Sequence, residues 1–464
     1  MYKNINKQNN KLKFLKKKSA KLGIILISSL LLMSVYSFVF VPLESFRQWN
    51  NPNFWINYPK SAAPAWTNLG FGQAKQFEHT IVDKQQALIK TNDIEGIFYV
   101  NQSFNFKTDA DRFPSDFMFP FEVTYSETPP LIDINIKRPD NETINLYYSS
   151  LPSGREKENN TFSGRIFSTD REISINLQSL LDKMNYTGKN LSPSNIVFSK
   201  INEQNVLKGD YTVDINFIFF NKNYSIVDTQ VIIGGTVFGL MGTDDLRRDL
   251  SIGILWGAPV ALFIGLTVSI SSIIIGLIYG IISGYKGRRT DEVMMRVNDI
   301  FYSIPSLPLL VILSITVGRS IFLLAAFLIV FSWVGMAKLS RSQTLQIKNM
   351  QYVEASRLMG QSDWKIITKH IIPQLLPFTF ASIAIAVPGA ILGEATLSFL
   401  GLGDPLIPTW GQILNEANSA NAAARGLWWW IIPPGLFIFL TGLSFALLGR
   451  ALESTTKIDD KNFR

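Results

Sequence analysis

The amino-acid sequence predicts an all-α polytopic membrane protein with six transmembrane helices and a large, mostly β extracytoplasmic domain inserted between the first and second helices. Three observations lead to this fold class. Six segments are apolar, the basic residues between them fall mostly on one side, and one long polar segment separates the first apolar run from the other five. Crossing about 30 Å of hydrocarbon takes close to 20 apolar residues in a helix, and most of the runs approach that length.

The first apolar run, residues 22–41, follows a basic N-terminus. Residues 1–21 contain eight lysines and no acidic residue, which predicts that this end of the chain stays in the cytoplasm. A cleaved signal peptide is the alternative. Its apolar core is usually shorter and ends in small residues, whereas this run ends in Val41-Pro42-Leu43-Glu44. The sequence therefore favours an uncleaved first transmembrane helix.

Five further apolar runs complete the predicted set of spans, at residues 256–283, 304–317, 321–336, 376–397 and 428–448. Only residues 318–320 separate the third span from the fourth, which predicts a tight helical hairpin. The run at 304–317 is short, and we expect its helix to extend upstream. The tryptophans at 428–430 are interpreted either as an anchor at the outer interface or as packing residues.

The distribution of positive charge sets the orientation of these spans. With six spans, both termini lie in the cytoplasm of a multi-pass plasma-membrane protein. The predicted inner loops and tail carry most of the basic residues: Lys286, Arg288, Arg289, Arg296, Lys338, Arg341, Lys348, Arg357, Lys365, Lys369, Arg450, Lys457, Lys461 and Arg464. The two short outer loops carry only Arg319 and Arg425. We therefore predict a transmembrane domain over 250–450, with an inner loop at 338–375 and a cytoplasmic tail at 451–464.

The long segment at 43–245 contains no apolar run of membrane length and is predicted to fold outside the cytoplasm. Apolar and polar residues alternate at 131–139, 172–180 and 211–220, which indicates half-buried β-strands. Its charges are mixed, which argues against a nucleic-acid partner. The chain has no cysteine and two histidines, so the sequence excludes disulfides and thiolate metal sites and predicts no metal centre.

A polar block at 354–377 lies between the fourth and fifth spans and faces the cytoplasm in this topology. It is predicted to form two short helices joined at Gly360, with Ser362 or Asp363 as the second N-cap. Pro373 and Pro377 mark the entry to the next span. Such a protruding pair can dock into a groove of a soluble partner. Helices lying on lipid, or a solvated loop, are the alternatives that the pattern leaves open.

The spacing within this block resembles the EAA loop of ABC importer permeases, in the dipeptide, oligopeptide and nickel branch. Glu354-Ala355-Ser356 is followed after three residues by Gly360, and after nine more by His370-Ile371-Ile372-Pro373. Ser356 stands where the family has a second alanine, and His370 where it commonly has isoleucine. The spacing of the family motif and the cytoplasmic location that the topology predicts for this loop therefore agree.

Further stretches resemble the same branch. "GTDDLRRD" at 242–249 is similar to its outer signature, with Arg247 in place of the usual glycine, so we expect a different turn there. Similar stretches occur at 287–310, 391–403, 408–411 and 447–453. The resemblance covers about 236–455 and leaves out the insertion, which is much longer than the outer loop usual in this subunit.

The resemblance implies one of two homologous permease subunits that form a pathway for dipeptides or oligopeptides, worked by two cytoplasmic ABC ATPases and supplied by an extracytoplasmic solute-binding protein. It places ATPase coupling at Glu354, Ala355, Ser356, Gly360, Asp363, His370 and Pro373. It places the outer signature at Gly242, Thr243, Asp244, Arg248 and Asp249. The chain has no phosphate-binding loop, so ATP and Mg²⁺ are expected in the partners, with no cofactor and no catalysis in this chain.

Small residues are frequent in the fifth span and predict close helix packing at the pathway or at a subunit seam. The candidates are Ala386, Gly389, Gly393, Glu394 and Ser398. An ionisable residue at membrane depth is a functional candidate. Alternatively, Glu394 reaches water or caps the turn at 401–403.

Three other functions compete with peptide transport. A nickel or other small-solute permease belongs to the same family, and nothing in the spans separates it from a peptide permease. A membrane-anchored receptor or adhesin would use the insertion and leave five spans without a purpose. An intramembrane enzyme lacks its signatures, since neither HExxH nor Gly-x-Ser-x-Gly occurs.

Overall fold

The structure, a computed structural model, describes residues 17–69, 74–126, 128–152, 160–183, 192–200 and 205–460. Most of the basic segment 1–21 and the last four residues of the tail lie outside these ranges. The described chain divides into two compact units. One is Asn51–Ser251, and the other contains the remaining described residues. Each unit has its own apolar core.

The helices and strands are numbered along the described chain. The helices are α1 Lys18–Phe40, α2 Leu43–Arg47, α3 Pro52–Trp55, α4 Arg171–Lys183, α5 Pro193–Phe198, α6 Leu250–Lys286, α7 Arg288–Ser303, α8 Ser306–Thr316, α9 Ile321–Ser332, α10 Val334–Lys348, α11 Gln351–Leu358, α12 Asp363–Ile366, α13 Ile372–Phe399, α14 Trp410–Ser419 and α15 Trp428–Asp460. The strands are β1 Thr80–Asp83, β2 Leu88–Ile94, β3 Ile97–Thr108, β4 Asp116–Tyr125, β5 Leu131–Lys137, β6 Thr143–Ser150, β7 Asn160–Phe167, β8 Gly209–Phe219 and β9 Tyr224–Gly234.

Several helices have the length and apolar composition of membrane spans. Among the described residues there are five, or six if a bent pair counts as one span. The five are Lys18–Phe40, Leu250–Lys286, Ile321–Lys348, Asp363–Phe399 and Trp428–Glu453. The bent pair is α7 and α8, whose axes differ by 73°. The upstream extension expected for the third span is a separate helix, bent away at Pro305, because the proline holds Ile304 in an extended conformation between α7 and α8.

Glycines allow the membrane helices to pack at backbone distance. Gly276, Gly280 and Gly284 recur every four residues on α6 and lie against α10, where a side chain would clash with backbone atoms. Gly253 receives the ring of Trp49 in the same way, and Gly257 receives Trp410. These contacts tie the segment after α1 and the short helix α14 to one side of α6.

The tryptophans at 428–430 differ in burial. Trp429 and Trp430 are buried, whereas Trp428 is partly exposed at the first residue of α15. Two of the three therefore pack inside the chain.

Residues 51–251 form a β-sandwich. One antiparallel sheet has the order β1-β9-β4-β7 and the other the order β2-β3-β8-β5-β6. Alternate side chains of both sheets meet in a single core, for example where Phe121 of β4 contacts Phe217 of β8 with ring centroids 5.8 Å apart. The predicted strands at 131–139 and 211–220 are confirmed as β5 and β8.

The strand predicted at 172–180 is wrong, because this stretch lies in helix α4. Ile173 and Leu177 are buried, four residues apart, and Leu181 packs against the same core. That spacing marks one face of a helix, whereas Ile175, which suggested alternation, is exposed.

Candidate functional site

The polar block forms the predicted pair of short helices. Helix α11 ends at Leu358, α12 begins at Asp363, and Gly360 between them has φ +76°, a left-handed conformation that favours glycine. One detail differs from the prediction. Helix α12 continues through a π-helical turn at Ile367–Ile371 into α13, so Pro373 lies in the first turn of α13, where proline is tolerated.

The turn between α11 and α12 presents large apolar side chains to the outside. Leu358 is 85% exposed, Met359 79% and Trp364 68%. Glu354, Ala355 and Gly360 are exposed beside them. A cluster of exposed apolar side chains rimmed by polar residues is typical of a protein interaction site.

The opposite side of the pair is packed into the membrane unit. Val353, Ile366 and Ile371 are buried in one cluster with Ile281 of α6 and Met336 of α10.

The coupling candidates Ser356 and His370 are held more closely than their neighbours. Ser356 is also buried, and its hydroxyl donates to the carbonyl of Tyr352 at 2.8 Å. His370 is half-buried, with Nε2 3.1 Å from Gln361 Oε1. Both contacts lie within residues 352–370 and hold parts of this segment to one another.

Tyr285, at the last turn of α6, holds both helices of the pair. Its hydroxyl donates to Asp363 Oδ1 at 2.9 Å, on the α12 side of Gly360. Its ring lies beneath the guanidinium of Arg357, 5.7 Å from the ring centroid, on the α11 side. A single buried side chain therefore connects a membrane helix to both sides of the turn. Nothing in the loop motif pointed to Tyr285.

A surface pocket of about 320 Å³ opens beside this connection. Glu354 and Arg357 line it together with Tyr285 and Lys348. The Lys348 ammonium donates to the carbonyls of Gly284 and Tyr285 at 3.2 and 3.1 Å, where the negative end of the α6 dipole favours a cation.

The five candidates in the fifth span fall into two groups. Ala386, Gly389 and Gly393 lie on one partly exposed side of α13, and a side chain on Gly389 would meet no other atom. Glu394 and Ser398 point elsewhere and are buried. The structure therefore does not bring all five residues together.

Glu394 forms a joint between α13 and α14. Glu394 is 4% exposed and accepts from the Ser398 hydroxyl at 2.7 Å, and the Thr409 side chain lies beside its carboxyl group. Thr409 is the N-cap of α14 and accepts from the backbone N–H of Gln412. Glu394 neither reaches water nor caps residues 401–403, where backbone carbonyls of α13 accept the hydrogen bonds instead.

The outer signature lies in the Asn51–Ser251 unit. Asp244 and Arg248 form a buried ion pair with 2.6 Å between Oδ2 and Nε. Asp244 Oδ1 also accepts from the backbone N–H groups of Leu246 and Arg248. Thr243 is buried, and its hydroxyl donates to the Pro59 carbonyl at 2.7 Å. These residues close a compact loop.

The two ends of the signature have separate roles. Gly242 has φ +74°, which favours glycine at this position. Asp249 Oδ1 accepts from the N–H and the hydroxyl of Ser251, next to the start of α6 at Leu250.

Arg247 stands where the family pattern has glycine. Its φ is +67°, in the left-handed region that favours glycine. The side chain compensates through contacts that glycine lacks. Nη1 donates to the Tyr58 carbonyl at 2.7 Å, and Nη2 pairs with Asp116.

The chain is 38% identical over 213 residues to the dipeptide transport system permease protein DppC of Bacillus subtilis, with 46% of this chain and 66% of that protein covered. It is 36% identical to the oligopeptide transport system permease protein OppC of the same organism, covering 46% and 69%. OppC of Haemophilus influenzae is 36% identical over 248 residues, covering 52% and 78%.

Residues 276–458 match the family described as "Binding-protein-dependent transport system inner membrane component". This chain belongs to that family. The relatives confirm the resemblance to dipeptide and oligopeptide permeases that the spacing around Gly360 indicated. About half of this permease is covered by each relative, and the family match begins beyond the β-sandwich.

Two features of this permease were absent from the sequence prediction. The Gly276, Gly280 and Gly284 ridge carries a readable signal, since small residues spaced by four indicate close packing of membrane helices. The link from Tyr285 to Asp363 spans 78 residues and has no local signal. Among the described residues, no group of three or more His, Cys, Asp or Glu side chains is arranged to hold a metal ion.

Proposed function

We propose that this chain is one of two permease subunits of an ATP-driven peptide importer, and that α11 and α12 form its contact with the cytoplasmic ATPases. The observation that carries the proposal is the exposed tip at 358–364. It combines apolar side chains suited to a groove with a firm attachment to the spans. An interfacial or solvated loop has no need of that attachment.

The arrangement favours transmission of motion as a rigid body. An ATPase groove that moves would displace Leu358, Met359 and Trp364 together, because Gly360 fixes the angle between the helices. Tyr285 would pass the displacement to α6, and the continuous helix from Asp363 would pass it to α13. Alternating access follows if the two positions of this pair match inward-open and outward-open arrangements of the spans.

The coupling residues then have distinct roles. Exposed Glu354 would make polar contacts with the groove, and exposed Ala355 would permit close approach of the partner's backbone. Ser356, His370 and Pro373 would support the pair from its membrane side. ATP and Mg²⁺ would be bound by the ATPase subunits.

The proposed cargo is a dipeptide or oligopeptide, delivered by an extracytoplasmic solute-binding protein. The names of the relatives support this class. A second homologous permease would face the partly exposed side of α13 at Ala386, Gly389 and Gly393, where a partner helix meets no side chain at Gly389. In this arrangement both termini are cytoplasmic and the β-sandwich is extracytoplasmic.

Co-purification of the ATPases tests the proposed contact. We expect Leu358→Asp to lower ATPase retention at least about tenfold, because burying one unpaired carboxylate in an apolar groove outweighs a typical contact. Leu406→Asp is the matched control, since Leu406 is similarly exposed but lies after α13. Equal retention by the two variants would contradict the coupling assignment.

Uptake by the reconstituted importer tests the cargo. Proteoliposomes that hold both permeases, the ATPases and ATP, supplied with the solute-binding protein, should accumulate labelled di- or tetrapeptides and not Ni²⁺. Accumulation of Ni²⁺ with no peptide uptake would contradict the peptide assignment and leave the ATPase contact intact.

A further inference from the structure

Helix α7 has one face that packs inside the chain and one that does not. On the packed face, Asp291 accepts from both Nε and Nη2 of Arg341 at 2.5 Å and from the Ser283 hydroxyl. On the same face, buried Asn298 donates to the Val334 carbonyl at 3.1 Å. These bonds fix the rotation of α7 about its own axis.

An apolar stripe lies on the side of α7 that faces away from these packed residues. Val293 is 63% exposed, Val297 39% and Ile300 59%. Their spacing of four and three residues places them in one line along the helix. Three β-branched side chains in one exposed line are costly in water and suited to an apolar surrounding.

Basic side chains border this stripe. At about 100° per residue, Arg289 and Arg296 lie directly beside it on the outer side of the helix. Asp291 and Asp299 are already paired, with Arg341 and Lys338 respectively. Around α7 this leaves Lys286, Arg288, Arg289 and Arg296 with a single further carboxylate, Glu292.

The position of α7 points to lipid as the occupant. One residue, Gly287, separates α7 from the long apolar helix α6, and a 73° bend separates it from apolar α8. Exposed apolar side chains continue on both neighbours, at Ile274 and Ile278 of α6 and at Leu307 and Ile312 of α8. The stripe thus lies between two apolar helices that carry exposed apolar side chains of their own.

We propose that α7 is an interfacial helix that lies in the headgroup region of the inner leaflet, with Val293, Val297 and Ile300 among acyl chains and Arg289 and Arg296 bound to the phosphates of anionic lipids. An apolar stripe bordered by arginines is the pattern of a helix lying in the plane of the interface. The leaflet rests on the proposed orientation of the spans. Because Arg341 joins α7 to α10, which leads into α11, this lipid contact also supports the base of the coupling pair.

Depth measurements on the assembled importer test the apolar contact. The chain has no cysteine, so Val297→Cys supplies its only thiol for a spin label. In vesicles of phosphatidylcholine and phosphatidylglycerol, we expect the label about 5–10 Å below the phosphates, colliding with oxygen far more than with an aqueous nickel chelate. Glu292→Cys, five residues away on the charged side, is the matched control and should show the reverse.

Two results at Val297 would overturn the lipid contact. Preferential collision with the nickel chelate would place the stripe in water. Shielding from both reagents would place it against protein, which identifies the second permease or an ATPase as the occupant.

Lipid selectivity tests the arginines. Quenching of a fluorophore at Val297→Cys by labelled phosphatidylglycerol, relative to labelled phosphatidylcholine, should fall about fivefold for each of Arg289→Gln and Arg296→Gln. Arg319→Gln, between α8 and α9, is the control and should leave the ratio unchanged. An unchanged ratio in the α7 variants, or an equal fall in the control, would overturn the anionic-lipid contact.

Sidedness separates this inference from the proposed function. In sealed right-side-out vesicles, a membrane-impermeant maleimide should reach Glu292→Cys only after the membrane is opened. Reaction before opening would overturn the proposed orientation and the inner-leaflet assignment together, whereas a water-exposed Val297 overturns the lipid contact alone.

Discussion

Gly360 and Arg247 show two ways in which a residue holds a left-handed backbone. At Gly360 the space around the missing side chain is empty, so only the backbone conformation requires glycine. At Arg247 a long side chain occupies the same region of conformational space and is held by Tyr58 and Asp116. The motif made Gly360 predictable, whereas the conformation of Arg247 depended on partners more than 100 residues away.

Substitutions at Gly360 should therefore separate conformation from size. A β-branched Gly360→Val should displace the exposed tip, since a left-handed conformation costs such residues at least about 1–2 kcal/mol. ATPase retention and peptide uptake should both fall. Asparagine tolerates this conformation, so Gly360→Asn should retain most activity although its side chain is much larger than that of glycine. Equal loss in both variants would instead indicate contact of the partner with the glycine itself.

Glu394 is a positioning residue in this structure, and its loss should act through α14. The Glu394→Gln variant keeps the shape but replaces the carboxyl oxygen that accepts from the Ser398 hydroxyl by an amide group. We expect slower peptide uptake with ATPase retention unchanged. Single cysteines introduced in α14 should become more reactive to a maleimide in the variant. Normal uptake together with normal reactivity would show that the joint is unimportant.

At the scale of elements, the sequence predicted those whose pattern was periodic over enough residues. The apolar runs gave the spans, and the alternation at β5 and β8 gave those strands. Helix α4 was mistaken for a strand because Ile173, Ile175 and Leu177 are spaced by two, as in a strand. The spacing of four between Ile173 and Leu177 fits a helix equally well over so short a stretch. The π-helical turn at Ile367–Ile371 has no signal in the local pattern. The bend at Pro305 does have a local cause, because a proline disfavours helical conformation in the residue before it.

Two substitutions of Tyr285 should weaken the attachment of the α11–α12 pair to α6, the second more than the first. The Tyr285→Phe variant removes the hydrogen bond to Asp363 and keeps the ring beneath Arg357. We expect ATP hydrolysis to continue while peptide uptake per ATP falls severalfold, because a net hydrogen bond of about 1 kcal/mol is lost.

The Tyr285→Ala variant also removes the ring and should uncouple transport further. Tyr279→Phe is the control, because Tyr279 bonds only to the Met294 carbonyl on α7. Uptake per ATP that is unchanged in Tyr285→Ala would exclude Tyr285 as the connection between the pair and α6.

At the scale of the whole molecule, the chain consists of a membrane unit and a β-sandwich with separate cores. Each unit can therefore respond differently to the same change of solution. The sandwich contains one of the two histidines of the chain, His79, whose ring contacts Phe238 at 5.5 Å between centroids. Burial lowers the pKa of His79 below its ordinary value of 6.5, so the folded sandwich binds a proton at this ring less readily than the unfolded chain does.

This histidine gives the sandwich a dependence on pH near neutrality. Below about pH 6.5 the unfolded chain takes up a proton that the folded chain excludes, so the free energy of unfolding falls as pH decreases through that value. The stabilisation is complete above about pH 6.5. Its loss levels off below the pKa of His79 in the folded sandwich. Hydrogen exchange of residues 74–126 at pH 7.5 and 5.5 should show the loss.

The control is His79→Gln, which carries no titrating proton. Exchange in its sandwich should vary much less between pH 7.5 and 5.5, once the intrinsic pH dependence of exchange is subtracted. The carboxylates of Asp109 and Asp111, whose pKa values are lowered by Lys75 and Lys208, titrate well below this window. The same pH dependence in wild type and variant would exclude His79 as its source.

Three properties could be predicted from the sequence: the apolar segments that form the spans, the approximate bounds of the insertion, and the transport family to which the loop around Gly360 belongs. These properties depend on composition, period and spacing, which are local to the chain. Only contacts in the folded chain show that Tyr285 holds α11 and α12, that buried Glu394 lies beside Thr409 at the start of α14, and that α7 turns an apolar stripe outward. Each of these depends on residues that are distant in sequence or on the direction of a side chain, and local patterns encode neither.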